Sequence, residues 1–368
     1  MRVAILSYFF PPNNSSGAQR WAKFVKCLGE RGHDVVVLAN VGDLFGGEDV
    51  RRAHEMRGYA RIYRFFYPLP HRPPLMVESR WREMLKLFVI PDSRLPFFVR
   101  WYRRMRDALR MESPDLLVAT APPFSALVFG RLLARDLRIP FVADLRDPWS
   151  NNPHRPNRLA DTLLEGWVLK GASAVLVAND REMYDEARRF NPNVFVLEHP
   201  YDPDDYPSEP IPHPGEVWVS HVGSVFSDAQ RAILESLKEN LPDGYVLRLF
   251  GPGTGRILGR EEAFREIISA DVLLVVIKSR RKRRLGSSAK LYDYIGSGRP
   301  VVVLTDNPFL KEKARSLGLT VAETPDDLPA AIREARPPNS KRYAHRLDVA
   351  CCELVRILAR ARLSAKRP

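Results

Sequence analysis

The chain has 368 residues, 45% of them hydrophobic, which is material for two buried cores of ordinary domain size. Lys and Arg outnumber Asp and Glu by 57 to 44, a formal charge of +13 that favours anionic partners: nucleic acid, anionic lipid or phosphorylated small molecules. Three cysteines show neither metal-ligand spacing nor a disulfide framework and suit a reducing cytosol as small buried hydrophobes, and the longest uncharged apolar run, 116–130, is too short and too proline-broken to span a bilayer.

Residues 3–10 read as a strand. Turn residues from Pro11 to Ser16 follow, with no small-residue cleavage site that would make the start a leader. A helix is predicted over 17–31, with Trp21, Phe24, Val25 and Leu28 as its apolar stripe, and a second strand over 35–39. This is a Rossmann-like βαβ opening without G-x-G-x-x-G, so a dinucleotide is not indicated. Residues 42–114 read as irregular, rich in Arg, Pro and aromatics, with helical segments near 79–89 and 96–111. The second segment sets Phe97, Phe98, Trp101, Met105 and Leu109 among Arg100, Arg103, Arg104 and Arg106. Such a pattern fits either a basic surface lying on an anionic membrane or a docked helix with solvated arginines.

Regular alternation then resumes. Strands are predicted at 115–120, 141–145, 174–178 and 194–197, with helices at 124–135, 158–169 and 180–189. The strand at 141–145 ends in Arg146-Asp147-Pro148-Trp149. The Pro-rich acidic stretch 199–216 reads as an interdomain linker. A second series begins with a strand at 217–222 running into Gly223-Ser224, then a helix at 227–239 and a strand at 245–250 ending at Gly251. Helices near 309–316 and 326–334 and a basic final helix at 341–362 complete the chain.

The richest stretch is 271–305. An apolar strand, Val272 to Ile277, leads into a loop in which six of the seven residues 278–284 are basic, then Gly286-Ser287-Ser288, a helix from Ala289 and a strand from Pro300. Ligands of parallel sheets bind beyond the carboxyl ends of the strands, and free amides at a helix start attract phosphate. Lys290 falls in the first helical turn, where a cation opposes the helix dipole and a bound anion would relieve it. Asp293 shares its face. Asp202-Pro203-Asp204 has a D-x-D form but lies in the Pro-rich stretch, and the eight histidines lack partner spacing, so no metal is expected. Nucleophilic serine or cysteine catalysis has no motif behind it.

Four stretches carry a resemblance: SYFFPPNNSSGAQRWAKFVKCLGERGHDVVVLA, PDLLVATAPPFSALVFGRLLARDLRIPFVADLRDPWS, VSHVGSVFSDAQRAILESL and SSAKLYDYIGSGRPVVVL. Over almost its whole length the chain resembles the retaining glycosyltransferases of family 4. The resemblance implies an α/β GT-B fold: two Rossmann-like parallel-sheet domains facing a central cleft, with a C-terminal helix returning to the first. Residues 1–198 with 341–368 would form the acceptor-binding domain, 199–215 the linker, and 216–340 the nucleotide-sugar-binding domain.

The family's residues carry over one by one. Gly17 matches its glycine loop and Gly223 its first donor-domain turn. Ser287, Ser288 and Lys290 match the turn that receives the pyrophosphate, and Asp293 an acid that binds ribose hydroxyls. Leu285 stands where the family's other acid is expected, Ser224 where an Arg is usual, and Arg231 is the nearest counterpart of a further Lys. Arg146, with Asp147 beside it, occupies a position that is His in many relatives. One βα unit of the second domain is absent by length.

The implied activity is metal-independent hexosyl transfer with retention. The sugar moves from a nucleotide-diphosphate sugar, with no other cofactor, to a saccharide or lipid-linked acceptor in cell-surface glycan synthesis. Lys290, Arg146 and Asp147 would be the catalytic residues. The competing functions are a GT-B nucleotide-sugar epimerase and a non-catalytic basic binding protein. Nucleic acid is not favoured, since no strand carries stacking aromatics. The expected location is the cytoplasm, at the inner face of the plasma membrane where the basic helix can touch anionic lipid.

Overall fold

The computed structural model describes residues 1–41, 48–67, 90–152, 158–178, 181–225, 227–254, 256–277 and 289–364. The helical expectation at 79–89, the basic run 278–284, Leu285, Ser287 and Ser288 lie outside the described residues. The chain divides into two compact units, one of Met1–Glu198 with Cys351–Pro368, the other of His199–Ala350.

The first unit is built on seven parallel strands: β1 (Arg2–Leu6), β2 (Asp34–Asn40), β3 (Arg61–Phe65), β4 (Leu116–Ala121), β5 (Phe141–Leu145), β6 (Ala174–Val177) and β7 (Val194–Val196). Their order is β3-β2-β1-β4-β5-β6-β7. Val3 pairs with Val35 on one side and Leu116 on the other, and the central strands are largely apolar on both faces because helices cover both. Those helices are α1 (Ser16–Glu30), α2 (Val50–Met56), α3 (Leu95–Glu112), α4 (Ser125–Leu137), α5 (Arg158–Lys170) and α6 (Arg181–Arg188). The strand order reverses between β1 and β4, which makes the carboxyl ends of those two strands the natural ligand crevice.

The structure departs from three of these expectations. Residues 42–114 are not simply irregular: they hold α2 and the edge strand β3. The β3 sequence RIYRF hides its strand because Arg61 and Tyr63 serve the sheet edge, Arg61 pairing with Asp34 at 2.8 Å and Glu112 at 2.7 Å. The cysteines are not all free: Cys27 of α1 and Cys351 form a disulfide across 324 residues of sequence, a separation at which spacing carries no signal. The final helix is also not continuous from 341. A 3-10 turn, Ser340–His345, precedes α7 (Leu347–Ser364), whose Leu347, Cys351, Leu354 and Leu358 are buried at the 4-3-4 spacing of one helical face.

On α3 the core claims Phe97, Phe98, Met105 and Leu109. Phe98 stacks on Phe129 at 5.5 Å and Phe97 meets Tyr8 edge-on at 5.0 Å. Arg100, Arg103 and Arg104 remain exposed.

The second unit holds five parallel strands in the order β12-β11-β10-β8-β9. They are β8 (Val217–Val222), β9 (Tyr245–Phe250), β10 (Val272–Ile277), β11 (Val301–Thr305) and β12 (Thr320–Ala322). Around them lie α8 (Asp228–Asn240), α9 (Arg260–Ser269), α10 (Ala289–Ser297), α11 (Pro308–Ser316) and α12 (Leu328–Arg333). The reversal falls between β8 and β10. The stretch 199–216 packs against this unit. Tyr201 is buried in its core, the Tyr206 hydroxyl donates to the Asp293 carbonyl at 2.6 Å, and His213 Nε2 lies 2.9 Å from Asp271.

Candidate functional site

The two strand reversals carry two separate constellations. In the second unit, β8 ends at Gly223, whose φ of +142° suits glycine, and β9 ends at Gly251 with φ of +121°. A Cβ on Gly251 would stand 2.7 Å from the carbonyl carbon and oxygen of Gly223, so the two strand ends approach as only glycines allow. The Gly223 amide donates to Phe250 O at 2.7 Å and closes the turn. Tyr294 of α10 straps the same turn: its hydroxyl accepts from Val222 N at 2.7 Å and donates to Val222 O at 3.1 Å.

Lys290 reaches into this turn from the first turn of α10. A Cβ on Gly223 would lie 2.7 Å from both Cε and Nζ of Lys290, so the ammonium occupies the room that the missing side chain leaves. Its Nζ is 3.1 Å from Nε2 of His221, a fully buried histidine of β8 whose Nδ1 is 2.9 Å from Leu274 O. Burial pushes Lys290 down to about 8. Burial, and next the Lys290 ammonium, push His221 down to about 3, so the ring is neutral. Ser224 is half-buried beside the glycine, and Asp293 is half-buried one turn along α10. A cation held at the carboxyl end of a parallel sheet, beside a helix start and facing a glycine turn, is suited to bind phosphate. Arg231 is not brought to it: it lies exposed on α8, and no hydrogen bond or ion pair among the described residues ties it to the turn.

In the first unit, Arg146 at the end of β5 lies across Gly17. A Cβ on Gly17 would overlap the Arg146 guanidinium. The guanidinium is held by its Nε donating to Ala121 O at 3.2 Å and its Nη2 donating to Pro122 O, both at the end of β4. Burial lowers its pKa, with Asp147 and Asp144 opposing; a guanidinium so placed is still charged at neutral pH. Asp147 is half-buried next to it. Gly17, Arg146 and Asp147 are thus gathered at the β1/β4 reversal.

Sequence reasoning missed the network beneath them. Asp144 is fully buried and accepts from Arg20 Nη2 at 3.1 Å, Trp21 Nε1 at 2.7 Å and Thr120 Oγ1 at 2.7 Å. Arg20, also fully buried, donates further to Leu197 O at 2.7 Å and Glu198 O at 3.0 Å. The available signal was a charged residue inside an apolar strand, which must be paired when buried. The same signal marks His221 inside VSHV. Among the described residues no group of three or more His, Cys, Asp or Glu is placed to hold a metal ion. Asp202 instead caps the short turn after it, accepting from Asp204 N at 3.2 Å.

The model of the glycosyl transferase 4-like domain family matches residues 17–198. The first unit is a glycosyl transferase 4-like domain. Among curated proteins none matches the chain by sequence. Solved structures of the same fold include sucrose-phosphate synthase from Thermosynechococcus elongatus, with TM-score 0.65, 12% identity and 100% of both chains covered. HepE of Anabaena in complex with UDP is similar at TM-score 0.58 and 12% identity, over 100% of this chain and 99% of that one. A putative UDP-N-acetylglucosamine 2-epimerase from Listeria monocytogenes is similar at TM-score 0.59 and 12% identity, over 100% of this chain and 98% of that one. These likenesses show the fold: the glycosyl transferase 4-like domain and the second unit together make a GT-B protein.

Proposed function

We propose that this protein moves a hexosyl group from a nucleotide-diphosphate sugar to a saccharide or lipid-linked acceptor, with retention and without a metal, in cell-surface glycan synthesis. The observation that carries the reading is the Lys290 ammonium seated against Gly223 at the β8/β10 reversal. Negative charge builds on the departing diphosphate as the glycosidic bond breaks, and a pre-placed cation stabilises it most at that moment. In this reading the Gly223-Ser224 turn receives the phosphates and Asp293 takes the ribose hydroxyls. Arg146 and Asp147, set against Gly17, meet the reacting sugar and the acceptor. HepE of Anabaena has been solved in complex with UDP-glucose, which makes that compound the first donor to try.

The test is incubation with UDP-glucose and a panel of other sugar nucleotides, with and without saccharide acceptors. Acceptor-dependent release of the nucleoside diphosphate is expected, with the donor's anomeric configuration kept in the product by NMR. Epimerised sugar nucleotide formed without acceptor would overturn the transfer reading. So would binding of nucleic acid with no response to any sugar nucleotide.

The proposal includes a peripheral site on the cytoplasmic face of the membrane. Among the described residues no helix is long and apolar enough to cross a bilayer. On α3, exposed Arg100, Arg103 and Arg104 neighbour the exposed apolar side chains of Val99 and Met111, and Arg100 lies over the Trp101 ring at 4.8 Å. Cations beside exposed apolar groups suit an anionic lipid surface. The protein is expected to sediment with vesicles containing phosphatidylserine, not with pure phosphatidylcholine, and to be released by added salt. Equal sedimentation with both, or with neither, rejects the membrane site.

A further inference from the structure

We propose that His221 is a positioning residue that holds the Lys290 ammonium in place for the diphosphate; this rests on the reading of Lys290 given above. His221 Nδ1 lies 2.9 Å from the Leu274 carbonyl oxygen, which can only accept, so Nδ1 carries the proton. In a neutral ring Nε2 is then the acceptor for the Lys290 ammonium, which can only donate and lies 3.1 Å away, while the Ser224 backbone also bears on the ring. The imidazole is fully buried, so its orientation is fixed by β8 and β10 packing and not by solvent.

One ammonium proton is therefore spent on a neutral acceptor, and the others stay available to a ligand at the Gly223 turn. A carboxylate in the place of His221 would neutralise Lys290 and compete with phosphate; a neutral imidazole orients the cation and leaves its charge uncancelled. Among the described residues, the other titratable groups of this corner include Tyr294 and Asp293 on α10 and Glu266 on α9. Both carboxylates act on Tyr294, and burial is what shifts Lys290.

The experiment titrates the full chain with inorganic pyrophosphate by calorimetry between pH 6 and 10. His221→Asn keeps a donor for Leu274 but is too short to reach Lys290, so it removes the acceptor while sparing the buried hydrogen bond. The parent protein should bind, and binding should fall as pH rises through about 8, where Lys290 loses its proton. His221→Asn should bind roughly tenfold more weakly at pH 7, as expected for a lost hydrogen bond to a charged group. The midpoint of its pH profile should also move down, because an ammonium without its acceptor deprotonates more readily. His221→Gln, whose longer amide oxygen can reach Nζ, should recover most of both. The ligand's own titration is common to all variants, so differences between them report the protein.

Weaker binding with an unmoved midpoint, or parent-like binding in His221→Asn, would overturn the positioning role while leaving Lys290 as the phosphate ligand. Parent protein that does not bind, or binding that survives Lys290→Ala, removes the phosphate site itself and the inference with it. If His221→Asn does not fold, the midpoint of His221→Gln decides: a midpoint shifted as far down as that of an unsupported ammonium shows that the acceptor was not recovered and sinks the proposal.

Discussion

Lys290→Ala should lower the rate of sugar transfer by about two to three orders of magnitude, the usual loss when one group stabilising a developing charge is removed. Its melting temperature should hold or rise. The folded protein carries Lys290 with its pKa depressed from 10.5 to about 8 by burial, so keeping it charged costs stability that alanine does not incur. The same depression fixes the signs of the pH dependence. Between about 8 and 10.5 the unfolded chain holds a proton at this lysine that the folded chain has lost, so stability from this group rises with pH across that window. Activity should fall through about 8 as the cation disappears. Kinetics and calorimetry on the parent and Lys290→Ala, run side by side, decide it. A variant that transfers sugar at the parent rate means that the phosphate site is elsewhere.

Asp144→Ala should be the most destabilising single change in the first unit. It strands the fully buried Arg20 guanidinium and takes the acceptor from Trp21 and Thr120. Breaking one side of a buried ion pair typically costs about 3–5 kcal/mol. Asp144→Asn should cost less, since the amide oxygen still accepts from Trp21 or Thr120. Arg146 rests on the strand end that follows Asp144, so the loss should reach activity even where the variant folds. Denaturant titration of Asp144→Ala with a midpoint matching the parent's would show that the network does not hold this end of the sheet.

What could be read in the sequence follows from the range of the forces involved. The central strands β1, β4 and β10 are largely apolar runs, so local pattern alone places them and the crossover helices between them, while the strand order that creates the two reversals is set by long-range pairing. Lys290 was legible because a cation in a first helical turn is a local anomaly. His221 was not, because its role exists only once α10 brings Lys290 from 69 residues away. Asp144 and Arg20 are 124 residues apart and look, one at a time, like a polar interruption in an apolar strand and helix. The edge strand β3 escaped because its charged residues pair sideways with Asp34 and Glu112 instead of alternating cleanly. The segment 199–216 reads as a linker from its prolines, and its packing against the second unit through Tyr201 and Tyr206 is a long-range contact that composition does not carry.

The split of the first unit between Met1–Glu198 and Cys351–Pro368 has a consequence for the order in which the protein is made. All of His199–Ala350 leaves the ribosome before the helical strand of chain that carries Leu354 and Leu358 into the first unit's core. The second unit is contiguous and can close on itself during synthesis, whereas the first emerges earliest and is completed last. Until then, the first unit's core lacks the apolar face of that helix and exposes surface for chaperones to cover, and a stop just after residue 350 leaves a complete second unit attached to an unfinished first one.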